Sequence, residues 1–126
     1  MAAGDDPVRL VLDATAVRAF PHVGVGEPIT QVQESGGAFT VPLPVLVACR
    51  DLDRRWLNLL LGHPAFRACE MPFAAWQQLS AMGEVLGSLE LASALWLATV
   101  WRCDVLTSEP KVWAPLGDDP PIVVFR

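Results

Sequence analysis

Short apolar runs alternate with helix-type patterns along the whole chain. The runs predict strands at Val8–Leu12, Ala38–Val41, Phe66–Met71, Cys103–Thr107 and Ile122–Phe125. Proline or aspartate at the starts and glycine at the ends predict helices at Ala14–Phe20, Gly26–Gly36, Pro44–Cys49, Phe73–Leu86, Leu89–Arg102 and Pro110–Leu116. Whether the helix that starts at Pro44 continues through Trp56–Leu61 stays open. Strands separated by helices imply a mainly parallel central sheet of about five strands, covered on both faces. The pattern therefore predicts a three-layer α/β sandwich.

The length and the composition fit one folded domain. The chain has 126 residues, of which 52% are hydrophobic, so it can bury a real core as a single domain over residues 1–126. The first six residues (MAAGDD) have few apolar side chains, and we expect residues 1–6 to be disordered.

Several features predict a cytoplasmic protein. The N-terminus is acidic and does not resemble a signal peptide, and the longest uncharged apolar stretch, Leu91–Trp101, is too short to span a bilayer. The three cysteines (Cys49, Cys69 and Cys103) are an odd number, are widely spaced and have apolar neighbours. This pattern is typical of buried free thiols in a reducing compartment.

The charge balance argues against a broad nucleic-acid surface. The formal net charge is −5, and the only pair of adjacent basic residues is Arg54-Arg55. Nucleic-acid affinity that is independent of sequence comes from clustered cations, so RNA is not a partner that the net charge favours. A small nuclease that holds RNA through a bound metal ion remains compatible with this charge.

Two acidic residues follow predicted strands at the same edge of the sheet. Asp13 comes directly after the first strand, and Glu109 lies two residues after the fourth. In parallel sheets, ligands gather beyond the carboxyl ends of the strands, at the point where the strand order reverses. The alternative for each residue is structural. Asp13 also suits a helix N-cap, and Glu109 suits the first turn of a helix.

Three segments resemble the PIN-domain family, which includes the nuclease toxins of bacterial toxin–antitoxin pairs. They are Val8–Val17 (VRLVLDATAV), Val41–Arg50 (VPLPVLVACR) and Cys103–Pro110 (CDVLTSEP), in this order and spacing. The order of strands and helices also fits, so the resemblance covers nearly the whole chain. It implies a PIN-like fold and metal-assisted phosphodiester hydrolysis, in which three or four carboxylates hold Mg²⁺ or Mn²⁺.

The resemblance implies site residues position by position. Asp13 matches the first acid of the family. Glu109 stands where the family usually has Asp, and Thr107 matches the supporting threonine of that motif. Asp13 and Glu109 are thus the implied metal ligands. A third acid should open the helix before the fourth strand, where Ser88 and Glu90 are the candidates.

The second acid of the family has no carboxylate here. Its position falls on Cys49 or on Arg50, depending on the register. A thiol is a soft ligand that suits Mg²⁺ poorly, and a guanidinium could occupy the site by pairing with Asp13. The resemblance therefore implies weak or absent binding of Mg or Mn, and a nuclease that is weak or inactive and acts as a binding or regulatory module. The alternative is an active Mg/Mn-dependent endoribonuclease of a toxin–antitoxin pair.

Two kinds of partner are predicted, one from the resemblance and one from the apolar character of a helix. The resemblance implies an antitoxin-like protein partner. The helix Leu89–Arg102 is apolar on nearly every side, so it must be covered all round, and a second copy would cover the side that faces away from the sheet. The sequence therefore predicts a homodimer.

Two rival α/β folds fit the sequence less well. A phospho-acceptor receiver domain needs an aspartate at the end of the third strand, where this chain has Glu70-Met71-Pro72. A dinucleotide-binding fold needs a third glycine, which Val23–Pro28 lacks. His22 and His63 each stand beside a proline, and we interpret both as loop residues without a catalytic role.

Overall fold

The computed structural model describes residues 6–126, and four parallel strands form its centre. The strands β1 (Val8–Leu12), β2 (Ala38–Thr40), β3 (Asp104–Thr107) and β4 (Ile122–Val124) pair in the order β2-β1-β3-β4. The α-helices are α1 (Ala14–Arg18), α2 (Val23–Glu34), α3 (Leu43–Ala48), α4 (Arg54–Leu61), α5 (Trp76–Leu86) and α6 (Leu89–Trp101). Two 3-10 helices span Phe73–Ala75 and Pro110–Leu116.

The sheet separates two hydrophobic cores, which confirms an α/β fold with helices on both faces. Leu10 and Leu12 of β1 point to the core that α1, α2, α3 and α4 cover, whereas Val11 points to the core under α5 and α6. A bulge between Val8 and Leu10 adds one residue to β1 opposite β2. Because of this extra residue, Val8 faces the same core as Val11, while Arg9 stays exposed.

Within residues 6–126 the sheet has four strands, so the prediction of about five was wrong in number. Phe66–Met71, predicted as the third strand, makes only one isolated bridge, between Phe66 and Phe39. The amide of Phe39 donates to Ala65, and its carbonyl oxygen accepts from Arg67. β2 ends at Thr40, and Pro42, which has no N–H, follows soon after and cannot continue a ladder. The predicted strand therefore has too short a partner.

The structure also corrects two helices. α2 begins at Val23 rather than Gly26, because the His22 side chain caps it by accepting from the Gly24 amide at 3.1 Å. Pro28 consequently lies inside this helix rather than at its first position. The helix predicted from Pro44 to Cys49 does not extend to Leu61, which was the open alternative, since Asp53 caps a new helix through the Arg55 amide at 2.8 Å.

Two of the three cysteines are less buried than predicted. Cys49 is buried as expected, but Cys69 and Cys103 are only half-buried. Burial raises the pKa of the Cys103 thiol to about 11.

Of residues 1–6, predicted as disordered, residues 1–5 lie outside the described part of the chain. The carbonyl oxygen of Asp6 accepts a hydrogen bond from Arg67. Within residues 6–126, no helix is long and apolar enough to cross a membrane.

The middle of helix α6 packs against other elements of the same chain. Its seven consecutive residues from Ala92 to Ala98 are all buried, against α5, α3 and the sheet. The indole of Trp96 also donates to the Gln78 side chain of α5 at 2.8 Å. The middle of this helix is therefore covered without a second copy, whereas Leu89 and Val100 near its two ends stay exposed and remain available to support the predicted homodimer.

Candidate functional site

The candidate site lies at the switch point of the sheet. The chain leaves β1 to form β2 on one side of it and later returns to form β3 on the other side. The carboxyl ends of β1 and β3 are therefore neighbours, and the Asp13 amide donates to the Leu106 carbonyl oxygen at 3.3 Å. A crevice at this location is where open parallel sheets bind their ligands.

Asp13 stands at the bottom of this crevice and is only 2% exposed. Its Oδ1 accepts from the Thr15 hydroxyl at 2.6 Å and from the Ala16 amide at 3.1 Å, which caps α1. Its Oδ2 accepts no hydrogen bond from residues 6–126. The predicted cap role of Asp13 is thus correct.

Hydroxyl groups tie the end of β3 to Asp13. The Thr15 Oγ1 accepts from the Ser108 amide at 2.9 Å and lies 3.5 Å from the Thr107 Oγ1. The buried Thr107 hydroxyl accepts in turn from the Glu109 amide at 3.1 Å. Asp13, Thr15 and Thr107 therefore fix the backbone that carries Glu109.

Three carboxylates line one pocket of about 460 Å³ above Asp13, which we call the acidic pocket. They belong to the exposed Glu109, the half-buried Glu90 and the buried Asp13. Lys111, the only lysine of the chain, lines the same pocket. The other lining residues are small, hydroxyl-bearing or apolar: Ala14, Thr15, Val45, Leu86, Gly87, Ser88, Leu91, Val112 and Pro115.

The two candidates for the third acid both reach the acidic pocket. Ser88 is the N-cap of α6, and its hydroxyl accepts from the Leu91 amide at 3.1 Å. Glu90 lies in the first turn of α6, where the helix dipole favours a negative charge. Because Ser88 is neutral and used as a cap, Glu90 is the third carboxylate of the pocket.

Cys49 directly follows α3 and contacts the residue after Asp13. The Cys49 Sγ contacts the carbonyl oxygen of Ala14 at 3.9 Å, and the side chain is fully buried. Burial raises the pKa of the Cys49 thiol; Arg18 opposes this shift, and the charges of Glu90 and Asp13 reinforce it. Cys49 is therefore a protonated thiol at neutral pH, with neither the charge nor the hard oxygen of a carboxylate.

Arg50 does not enter the acidic pocket, so the suggested pairing with Asp13 was wrong. Its guanidinium is exposed and donates to the Val47 carbonyl oxygen at 2.9 Å. It lines a neighbouring groove that it shares with Leu43 and Leu89. The cation whose charge acts on Cys49 is Arg18, which pairs with Asp51 at 2.9 Å.

The donor set fits a small divalent ion poorly. Across residues 6–126, no three side chains of His, Cys, Asp or Glu lie close enough together to hold one metal ion. Mg²⁺ demands near-octahedral oxygen ligands at about 2.1 Å and loses its water reluctantly, so dispersed carboxylates do not compensate for dehydration. The Lys111 ammonium at the pocket adds repulsion between like charges.

Lys111 and Thr15 belong to the pocket although sequence reasoning missed them. Each follows a predicted site acid by two residues, Glu109 and Asp13 respectively, and that spacing was the available signal. The histidines play other parts. His22 caps α2, and the His63 Nδ1 accepts from the Ala65 amide at 3.0 Å.

Comparison with known proteins adds no family to this description. The chain matches no protein-family model and no curated protein. The fold and the pocket together define a parallel α/β domain with an acidic crevice at its switch point.

Proposed function

We propose that this chain is a PIN-like domain whose acidic pocket has lost metal-dependent RNA cleavage and serves as a binding or regulatory module. The observation that carries the proposal is Cys49. Its Sγ contacts the carbonyl oxygen of Ala14, the residue after Asp13, and it is one of the two positions at which the resemblance implies the second acid. A buried, protonated thiol there removes one anionic oxygen from a site that needs three or four.

Electrostatics support the same proposal. Without a bound metal ion, the acidic pocket and the net charge of −5 repel a phosphodiester backbone. Lys111 is the one cation that lines the pocket, and a single ammonium does not replace the charge of a divalent ion.

The alternative is an active Mg/Mn-dependent endoribonuclease of a toxin–antitoxin pair. The observation that favours it is that Asp13, Glu90 and Glu109 line one pocket. In that case Glu90 would be the third ligand, and movement of its side chain and that of Glu109 would have to bring the carboxylates together on one ion.

An RNA cleavage assay separates the two functions. We expect the wild-type chain to leave single-stranded RNA intact in Mg²⁺ and in Mn²⁺, at the level of Asp13→Asn, because too few carboxylates converge to activate water. Metal-dependent cleavage by the wild type that Asp13→Asn abolishes would refute the proposed function. The Asp13→Asn protein also controls for contaminating nucleases, since it passes through the same purification.

We further propose a cytoplasmic homodimer, with an antitoxin-like protein as a second partner. The dimer is supported by the exposed apolar side chains of Leu43, Val47 and Leu89, which line one surface groove between α3 and α6. Light scattering at micromolar concentration should return twice the chain mass of 13.7 kDa. We expect the light-scattering mass of Leu89→Glu, which places a charge in the groove, to fall to that of a monomer. If the wild-type protein itself has the mass of a monomer, the dimer is contradicted.

A further inference from the structure

We propose that a second pocket, between the end of β2 and the segment after α4, binds a neutral apolar molecule through a secondary amide group. The inference goes beyond the proposed function, since it concerns another part of the fold and involves neither a metal ion nor RNA. Two observations carry it: a largely apolar pocket, and a hydrogen-bond ladder that ends one rung early at this pocket.

The size and the walls of this pocket, which we call the apolar pocket, suit a small uncharged molecule. Its volume of about 490 Å³ lies within the range of small-molecule sites. Leu46, Phe66 and Met71 contribute apolar walls, against which a ligand gains free energy by burying its own apolar groups. Glu70 is the one charged residue that lines the apolar pocket, so the walls disfavour an anion.

The segment after α4 begins to pair with the edge of β2 and then stops. The Phe39 amide donates to the Ala65 carbonyl oxygen, and the Arg67 amide donates to the Phe39 carbonyl oxygen, both at 2.9 Å. If this parallel ladder continued, its next rung would run from the Val41 amide to the Arg67 carbonyl oxygen. Within residues 6–126, the Val41 amide donates to no acceptor, and the Arg67 carbonyl oxygen accepts only from the Cys69 thiol at 3.8 Å.

The Val41 amide belongs to a buried residue that lines the apolar pocket. Val41 is 4% exposed, and a buried N–H without an acceptor is costly. Val41 precedes Pro42, which restricts it to extended backbone, so its N–H faces the same side of the sheet edge as that of Phe39. Cys69, which contacts the Arg67 carbonyl oxygen, also lines the pocket. An unused donor and an unused acceptor therefore flank one apolar pocket.

A secondary amide matches this pair of backbone groups. The C=O and the N–H of a trans amide point in opposite directions, so the oxygen can accept from Val41 while the N–H donates to the Arg67 carbonyl oxygen. An ester or a ketone satisfies the donor alone. A water molecule can satisfy both groups but leaves the apolar walls uncovered. The amide group of a ligand therefore takes the place of the rung that β2 and the neighbouring segment do not form.

Two matched probes test the role of the amide. N-isobutylacetamide and isobutyl acetate share their apolar group and their carbonyl group, but only the amide carries an N–H. In titrations of the wild-type protein followed by NMR, we expect the amide to bind about fivefold more tightly, which corresponds to one hydrogen bond. The Val41 amide proton should shift downfield as its hydrogen bond forms. Equal affinities, tighter binding of the ester, or no binding of either probe at millimolar concentration would overturn the proposal.

Two variants with the same substitution place the binding in the apolar pocket. Ala68 is exposed and lines this pocket, so Ala68→Trp should fill it and weaken the amide by at least about tenfold. Ala81 is also exposed but belongs to α5, outside the pocket, and Ala81→Trp should leave the affinity unchanged. Circular dichroism establishes that each variant is folded. Wild-type affinity in a folded Ala68→Trp protein would overturn the proposal.

The Cys69 thiol provides a second measurement that needs no substitution. Cys69 and Cys103 are both half-buried, but only Cys69 lines the apolar pocket. Saturating N-isobutylacetamide should slow the alkylation of Cys69 by iodoacetamide several-fold and leave that of Cys103 unchanged, as measured by mass spectrometry of the digested protein. Unchanged alkylation of Cys69, or equal protection of both thiols, would contradict binding at this pocket.

The same protection assay distinguishes a free small amide from the backbone amide of a peptide segment. N-acetyl-leucine methylamide carries an apolar side chain between two amides, as one residue of an extended peptide does. If it protects Cys69 at a lower concentration than N-isobutylacetamide, the ligand is a peptide segment. The reverse order assigns the pocket to a small amide, and protection by neither compound would overturn the proposal.

Discussion

The variant Cys49→Glu is expected to bind Mn²⁺ at least about tenfold more tightly than the wild-type chain. The new carboxylate would replace the thiol of Cys49, which contacts the carbonyl oxygen of Ala14, the residue after Asp13. It adds an anionic oxygen, the hard donor that Mn²⁺ prefers, in place of a protonated sulfur. Calorimetric titration of the folded variant with Mn²⁺ measures the change.

Two further variants isolate the effect of that carboxylate. Cys49→Gln has the shape of the glutamate without its charge and should bind no more Mn²⁺ than the wild type. Arg50→Glu adds negative charge to the neighbouring groove, outside the acidic pocket, and should also leave Mn²⁺ affinity unchanged. If Arg50→Glu gained affinity while Cys49→Glu did not, the missing acid would be at position 50 and our assignment of Cys49 would be wrong.

The largest loss of stability is expected for Phe39→Ala, at about 3–5 kcal/mol of the free energy of unfolding. Phe39 is fully buried in β2. Its ring makes edge contacts with His63 and Phe66, with ring centroids 5.5 and 5.7 Å apart. These contacts hold the segment after α4 against the edge of the sheet, so truncation leaves a cavity and loosens that edge. Urea unfolding measures the loss.

Phe73→Ala is the matched control for this prediction. Phe73 is 89% exposed, so the same chemical truncation should change the free energy of unfolding by no more than about 0.5 kcal/mol. Similar losses for the two variants would contradict the placement of Phe39 in the core and of Phe73 on the surface.

The sheet was predictable where local pattern and burial agree. β1 spans Val8–Leu12 as predicted, because a compact apolar run suits a strand buried on both faces. The segment Phe66–Met71 has a similar pattern but stays outside the sheet. Whether this segment joins the sheet depends on the length of β2 and on Pro42, which belong to a distant part of the sequence. Single-sequence patterns do not contain that information.

The start of α2 was likewise not predictable from the local sequence pattern. Pro28 indicated a helix start because proline suits the first turn, and Gly24 and Gly26 lower the local helix propensity. The helix nevertheless begins at Val23, where the His22 cap and the burial of Val25 outweigh that propensity. A methyl group added at Gly24 would lie 3.0 Å from the Arg126 carbonyl oxygen, so the C-terminal residue would have to shift slightly to accommodate it.

The candidate site was predictable in its strand-end acids and not in its surroundings. Asp13 and Glu109 line one pocket because parallel strands place their carboxyl ends at one edge. The choice between Cys49 and Arg50 needed the facing direction of each side chain at the end of α3. Sequence does not set this where a helix is only six residues long and ends within the candidate motif.

The central claim is that the acidic pocket is too incomplete to hold the metal ion of a nuclease. Calorimetric titration of the wild-type protein with Mn²⁺ tests it most directly, because it measures the pocket without relying on an RNA substrate. We expect no saturable binding at micromolar Mn²⁺ and the same titration trace for Asp13→Asn. One saturable site at micromolar Mn²⁺ that Asp13→Asn abolishes would contradict it.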